Sequence, residues 1–422
     1  MADFVSASGS YRVWPANAGL FIASGGLSMF GNAIANVVWV WLVLDRTGDP
    51  AAAGVVAMFI SIPAIVFSFF GGRLIDSVGR KPMSVVSDVI SASSVALLIV
   101  VDSLTDLTVG WFIVLGIIGA VGDVPGMAAR QALTGDVARC SGWSVDRLAG
   151  LSQSVAGMSF LVGPALGGVL LSMLPTTSVL WITVACSAAA AVVTFVLRIS
   201  PAAVQVDEEQ PQSVRGVVAR ARSEVTAWRA IVAHPQVTML AVLSFAGALL
   251  VMPYLIVLTP AHFHRVDNPS MYGVTMSSYA VGMMAGGVFV AKVGTARRRR
   301  MWMIALVFET VCFALMAWLA GGWVLAFAFA LAGVSGGILN PLQTVMITEK
   351  VDDRVRGRAF SLFQMINLVG QPVGLAVVTM AVNYASIYTV AVWLCLAWVP
   401  VAVYSFWSAR RHVEVLAPSA VA

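Results

Sequence analysis

The sequence predicts an all-α membrane protein, with twelve transmembrane helices in two pseudo-symmetric six-helix bundles, and three observations lead there. Of its 422 residues 59% are hydrophobic and 11% charged, with a mean hydropathy of +0.90, far too apolar a chain to bury its hydrocarbon in a water-soluble core. Its apolar runs are long. A helix needs roughly 20 residues to cross about 30 Å of hydrocarbon, and twelve windows reach that length. Finally, the basic residues are lopsided: with an even number of spans the termini share a side, and 23 of the 25 Lys and Arg residues then fall on that side. Only Arg46 and Arg265 lie opposite. Positive charge marks the cytoplasmic face, so we expect a multi-pass protein of the cell inner (plasma) membrane with both termini cytoplasmic. The formal charge of +5 follows from this topology, and no nucleic-acid partner is implied.

In chain order the expected spans are 17–44, 51–72, 82–101, 108–130, 148–173 and 178–198, then 237–259, 271–291, 301–319, 322–347, 358–381 and 385–408. The first six make an N-terminal bundle over 1–198, and the last six a C-terminal bundle over 236–422. Between them, 199–235 reads as a cytoplasmic linker: Pro201, Asp207-Glu208-Glu209 and Pro211 break the apolar pattern. Val214, Val217, Val218, Ala221, Val225 and Trp228 then recur at helical spacing, as in an amphipathic helix lying on the membrane, with Arg215, Arg222 and Arg229 reaching headgroups. Ahead of the first span stands one basic residue, Arg12, and the apolar run that follows is longer than a signal-peptide core, so no cleaved signal is expected. Cys140, Cys186, Cys312 and Cys395 are scattered, which points to packing rather than to disulfides or a metal.

The halves echo each other. Gly72 and Gly79 recur as Gly287 and Gly294 at an offset of 215, and Pro125 and Asp136 recur as Pro341 and Asp352 at 216. Internal repetition between six-helix halves marks secondary transporters with a site near the bilayer midplane. No Gly-x-x-x-x-Gly-Lys-Ser/Thr run is present, so transport must draw on an ion or substrate gradient, and neither a cofactor nor enzymatic chemistry is expected.

Two motifs carry a resemblance. Gly72-Arg73-Leu74-Ile75-Asp76-Ser77-Val78-Gly79-Arg80-Lys81, expected as a short turn between the second and third spans, resembles the loop motif of the major facilitator superfamily. Gly163-Pro164-Ala165-Leu166-Gly167-Gly168 resembles that family's antiporter motif. The run from Gly126 to Arg130, Gly142-Trp143-Ser144-Val145-Asp146-Arg147 and Arg356-Gly357-Arg358 are similar to the actinobacterial Tap-type multidrug efflux transporters. The resemblance implies that Asp76 meets the start of the eleventh helix, with Arg80 and Asp136 as partners, and that the fifth and eighth helices form a gate. It also implies that helices 1, 4, 7 and 10 line the cavity while 3, 6, 9 and 12 support it. The chain departs from related exporters in the first helix, where Gly31-Asn32-Ala33-Ile34-Ala35-Asn36 stands in place of an acid. In the second copy of the loop motif, Ala291 replaces the acid at Asp76.

Residue chemistry agrees with a moving transporter, although each group also has a plainer use. Glycines at 71, 72 and 79 suit a tight turn or a close helix approach, and Gly163, Pro164, Gly167 and Gly168 suit a kink and a crossing. Three acids fall inside spans, Asp88, Asp123 and Glu309; an unpaired charge at depth costs at least about 2.5 kcal/mol, so each needs a partner, a proton or water. Asp123, on a cavity helix, is the foremost proton-coupling candidate. Asp88 is expected to pair with cations of the 72–81 turn, and Glu309 to be protonated and hydrogen-bonded. Asn32, Asn36, Asn340 and Gln343 are polar positions for a substrate cavity, or for interhelical hydrogen bonds. Trp39, Trp41, Phe245, Met252 and Met276 are apolar contacts for a drug, or lipid-facing residues. His262 and His264 lack a third ligand for a metal.

The expected function is export of amphiphilic small molecules by alternating access, in exchange for protons, by a monomer in the bilayer. An uptake symporter or uniporter of the same fold is the alternative, and a non-transporting membrane sensor is a third reading, for which no soluble domain is in view.

Overall fold

The computed structural model describes residues 14–199, 235–293, 298–319, 321–350 and 353–412, with backbone alone at 64, 67–74, 76–77, 235–237, 349–350, 353–362 and 364. Twelve helical runs occupy the described residues, without a strand: α1 Ala16–Thr47, α2 Pro50–Val78, α3 Arg80–Leu104, α4 Val109–Ser141, α5 Val145–Met173 and α6 Thr176–Val196. The second half follows with α7, which runs from Pro235–Pro253 through a π turn, Tyr254–Leu258, into Thr259–Arg265. Then come α8 Pro269–Val293, α9 Arg298–Met316, α10 Gly322–Lys350, α11 Asp353–Val382 and α12 Ile387–His412. Ten of the runs are long and apolar enough to cross a membrane, and of α2 the stretch Pro50–Pro63 is a shorter apolar helix. The remaining run, α9, opens on Arg298, Arg299 and Arg300.

Local chemistry sets the joints. Asp49 caps α2 by accepting the amide of Ala51 at 2.8 Å ahead of Pro50 in the first turn, and Ser144 caps α5 by accepting that of Arg147 at 3.3 Å, each satisfying an orphan donor. The expected turn over 72–81 is mostly helix. Charged residues at the end of an apolar span do not break the backbone ladder, so α2 continues to Val78 and the chain turns on Gly79 alone, at φ 94° and ψ 146°. A side chain would be strained there. Likewise α4 outlasts its apolar window by eleven residues, ending at Ser141 with Gly142 at φ 75°, because helix propensity continues after hydropathy stops. The expected amphipathic helix over 199–235 and the Arg356-Gly357-Arg358 side chains lie outside the described residues.

The packing repeats with a shift of six helices. In the first half α1 packs on α5 and α6, α3 on α4 and α6, and α2 on α4; in the second, α7 packs on α11 and α12, α9 on α10 and α12, and α8 on α10. The halves meet at α5 against α8 and at α2 against α11, two crossings that the same shift exchanges. Sequence echoes at offsets near 215 are thus echoes of packing, as expected for a duplicated six-helix unit.

Candidate gating and coupling sites

The end of the molecule that carries Ala16 and His412 is called here the terminal end, and its opposite the far end. At the terminal end Asp136, fully buried near the close of α4, is bracketed by two guanidiniums: Arg80 Nη1 donates to both carboxylate oxygens at 3.1 and 3.2 Å, and Arg139 Nη2 to Oδ1 at 2.5 Å. Lys81, next along, donates to the carbonyl of Leu197 at 2.7 Å and sits over the Phe195 ring. The structure therefore ties the start of α3 to the ends of α4 and α6. Gly72 lies within α2, but the side chain of Asp76 and the first residues of α11 are outside the description, and their contact with them.

The antiporter-like motif builds two close crossings at once. Gly163 faces Ala33 and Gly167 faces Ile34, both of α1, while Gly168 faces Pro269 and Gly273 of α8, so closely that an added Cβ would overlap the Pro269 carbonyl. Pro164 lies inside the helix, where its ring crowds the preceding turn, and the amide of the next residue, Ala165, donates across to Ser277 Oγ of α8 at 2.9 Å. At the companion crossing Gly54 of α2 faces Thr379 of α11 and Val257 of α7. Aromatic rings add to the seal: Trp41 of α1 lies 6.4 Å from Tyr272 of α8, stacked at 25°, and 5.0 Å from His264 of α7, whose Nε2 approaches Asp45 at 4.0 Å. All these contacts between halves lie toward the far end. His262 turns instead to Tyr388, with Nδ1 and the hydroxyl 3.4 Å apart, so the two imidazoles serve different neighbours. Among the described residues no group of three potential metal ligands occurs.

The intramembrane acids fall out differently from expectation. Asp88 is 2% exposed and pairs with Arg130 of α4, whose Nη2 donates to Oδ2 at 2.6 Å, rather than with Arg80 or Lys81, which are engaged with Asp136 and Leu197. The reason is direction: Asp88 stands two helical turns up α3 from Arg80, on the face turned inward to α1 and α4. From α1, Ser28 donates to Asp88 Oδ1 at 2.7 Å, and Ser24 Oγ accepts from Arg130 Nη1 at 3.0 Å. The arginine stem passes beside Gly25 of α1. Asp123, two turns up α4 from Arg130, accepts from Ser91 of α3 at 2.7 Å and keeps partial exposure, one turn from the exposed Met127. Glu309 is buried in α9 against Ser335 of α10, whose hydroxyl also donates to the Ala305 carbonyl at 3.0 Å.

The sequence places Arg130 at the end of the apolar window of α4, among the basic residues of the terminal side, and does not show that it pairs with Asp88. The available signal was spacing, since Ser24 and Ser28 stand four apart and Asp88 and Ser91 three apart on single helix faces. Of the cavity candidates, Asn36 and Asn340 are exposed and Asn32 is half-buried. Gln343 donates to Ser244 of α7 at 2.6 Å, an interhelical bond.

The relatives agree with this architecture. The Major Facilitator Superfamily matches residues 21–267 and 261–420. The chain is 26% identical over 349 residues to Multidrug efflux pump Tap of Mycolicibacterium fortuitum, covering 82% of this chain and 84% of that one. It is 23% identical over 372 residues to Macrolide efflux protein A of Streptococcus pyogenes, covering 86% and 87%. Among solved structures, nucleoside transporter NupG superposes with a TM-score of 0.70 at 16% identity over 94% of this chain and 99% of that one. A bacterial homologue of iron transporter ferroportin, in the inward-facing state, superposes at 0.66 with 13% identity over 94% and 99%. These structures show the fold. With a family match that runs through both halves, the chain belongs to the Major Facilitator Superfamily, and within it resembles the Tap-type efflux pumps.

Proposed function

We propose that this protein exports amphiphilic small molecules or drugs across the inner (plasma) membrane by alternating access, in exchange for protons. The observation that carries the reading is the glycine crossing of α5 and α8, where Gly168 and Gly273 abut and the Ala165 amide reaches Ser277: an interface with almost no side chain between its backbones can close tightly and part again. Efflux pumps among its relatives support export as the direction. The moving bodies are the bundles 1–198 and 236–422, joined by 199–235, with the terminal end in the cytoplasm. The contacts between halves at the far end support reading this as the state whose cavity faces the cytoplasm, and the presence of both bundles in one chain supports a monomer as the working unit.

In this reading the 72–81 segment latches the opposite state. Asp76 meets the positive end of α11 while Arg80 and Asp136 brace it, and the far end opens as the latch closes. Asn32, Asn36, Asn340 and Gln343 supply the few polar groups of an otherwise apolar pocket. Expression in an efflux-deficient bacterium tests the function: dye and antibiotic accumulation should fall on expression and recover when a protonophore is added. Protonophore-sensitive accumulation of a nutrient would instead establish uptake, and no change in either would remove transport from the reading.

A further inference from the structure

Three charged groups of the N-terminal bundle lie together between α1, α3 and α4, and their charges do not cancel. Arg130 is committed to Asp88, which also takes Ser28; among the described residues the hydrogen-bond partner of Asp123 is the neutral hydroxyl of Ser91. Of the two carboxylates, one therefore has a guanidinium partner and the other has none among the described residues. Asp88 and Ser91 occupy one face of α3, so the two acids are neighbours across that face, and like charges so placed in a dry bundle disfavour double ionisation. Among the described residues on helices packed against α4, Asp88 is the acid that faces Asp123. Ser24 and Ser28 of α1 are neutral, Ile60 of α2 packs beside Gly116, and the charges of α5, Asp146 and Arg147, lie in its first turn at the terminal end. Arg80, Arg139 and Asp136 are engaged with one another at that end.

We propose that Asp88, Arg130 and Asp123 form a single site of net charge minus one that holds one exchangeable proton, on Asp123, with Arg130 as the standing counter-ion of Asp88. The inference rests on the proton-antiport reading and adds to it the site's membership and its stoichiometry, one proton per cycle from this bundle. Asp123 is the member placed to exchange, since it keeps partial exposure beside Met127 while Asp88 is sealed. On release the carboxyl O–H bond breaks, its electron pair stays on the carboxylate and the proton passes to water at the terminal end. In the alternate state the carboxylate takes a proton from water at the far end.

The rule makes an arithmetic test: protons held equal acids minus arginines. Infrared difference spectra between acidic and alkaline buffer, on protein reconstituted in lipid and checked for fold by gel filtration, read protonated carboxyls directly. The wild type should show a carboxyl band at neutral pH that Asp123→Asn removes and Glu309→Gln retains. Arg130→Gln should add a second band, lost again in Asp88→Asn/Arg130→Gln. Where Arg130→Gln does not fold, Asp88→Asn serves: it leaves the Arg130 charge uncompensated in the same bundle, which favours the carboxylate form of Asp123, and the Asp123 band disappears at neutral pH. A band unchanged in Asp123→Asn, or one that survives in Asp88→Asn, overturns the site. The antiport reading is separated by vesicles: proton movement with tetraphenylphosphonium export should stand at one to one through this bundle. Export indifferent to ΔpH, with the bands behaving as stated, would remove antiport and the turnover of this proton while leaving its residence on Asp123.

Discussion

The buried acids of the two halves invite a direct comparison at the scale of single residues. Asp123 is partly exposed and lies between α3 and α4, whereas Glu309 is sealed against Ser335 between α9 and α10. A proton that must meet water on alternate sides is served by the first and not by the second. Asp123→Asn should therefore slow ΔpH-driven export by about tenfold or more, a barrier change of about 1.4 kcal/mol, and Glu309→Gln by much less; dye extrusion by vesicles under an imposed pH gradient measures both, and the reverse order would refute the ranking. The existence of these acids was legible in the sequence, because a charge inside an apolar window is conspicuous. Their partners were not. Pairing Asp88 with Arg130 requires knowing which faces of α3 and α4 are turned together, and that is decided by packing: Gly119, Gly122 and Gly126 of α4 let Ser94, Ile90 and Ser87 of α3 come close.

At the scale of elements, the helices show what hydropathy reads well and what it does not. Every expected span has its helix, yet α2 and α4 run on past the apolar windows, since a helix ends where the backbone ladder is broken, as at Gly79 and Gly142, and not where the membrane ends. The antiporter-like motif was legible as a crossing, but its two directions, Gly163 and Gly167 to α1 and Gly168 to α8, follow from angular position on α5. They divide the motif between contacts inside its own bundle and contacts with the other bundle. Gly168→Val should overpack the closed crossing by about 1–3 kcal/mol and reduce export with expression preserved, measured as dye accumulation against immunoblot level. A normally expressed Gly168→Val with full export would count against the crossing as a gate. Asp76→Asn probes the opposite latch: export should drop severalfold at normal expression, and undiminished efflux would dismiss the latch.

For the whole molecule, packing that repeats under a shift of six helices leaves two like crossings between the halves, α5 with α8 and α2 with α11, and in the proposed cycle these are the contacts that must part. Freezing one of them should stop the cycle. Ala165→Cys with Ser277→Cys places one thiol on each helix at residues already joined by an amide-to-hydroxyl bond of 2.9 Å, and oxidation should arrest export until a reductant is added; export unaffected by a formed disulfide would rule out separation at this crossing.

The near absence of side chains between Gly168 and Gly273 has a mechanical consequence. In the proposed cycle a crossing that parts at Gly168 carries a long helix with it: α5 runs 23 residues from Val145 to Gly168, about 35 Å at 1.5 Å per residue, so that a tilt of about 10° would displace its other end by about 6 Å. Bulk added at Gly168 would hold the crossing slightly apart, and that small offset would be felt at the opposite surface multiplied by the length of the helix.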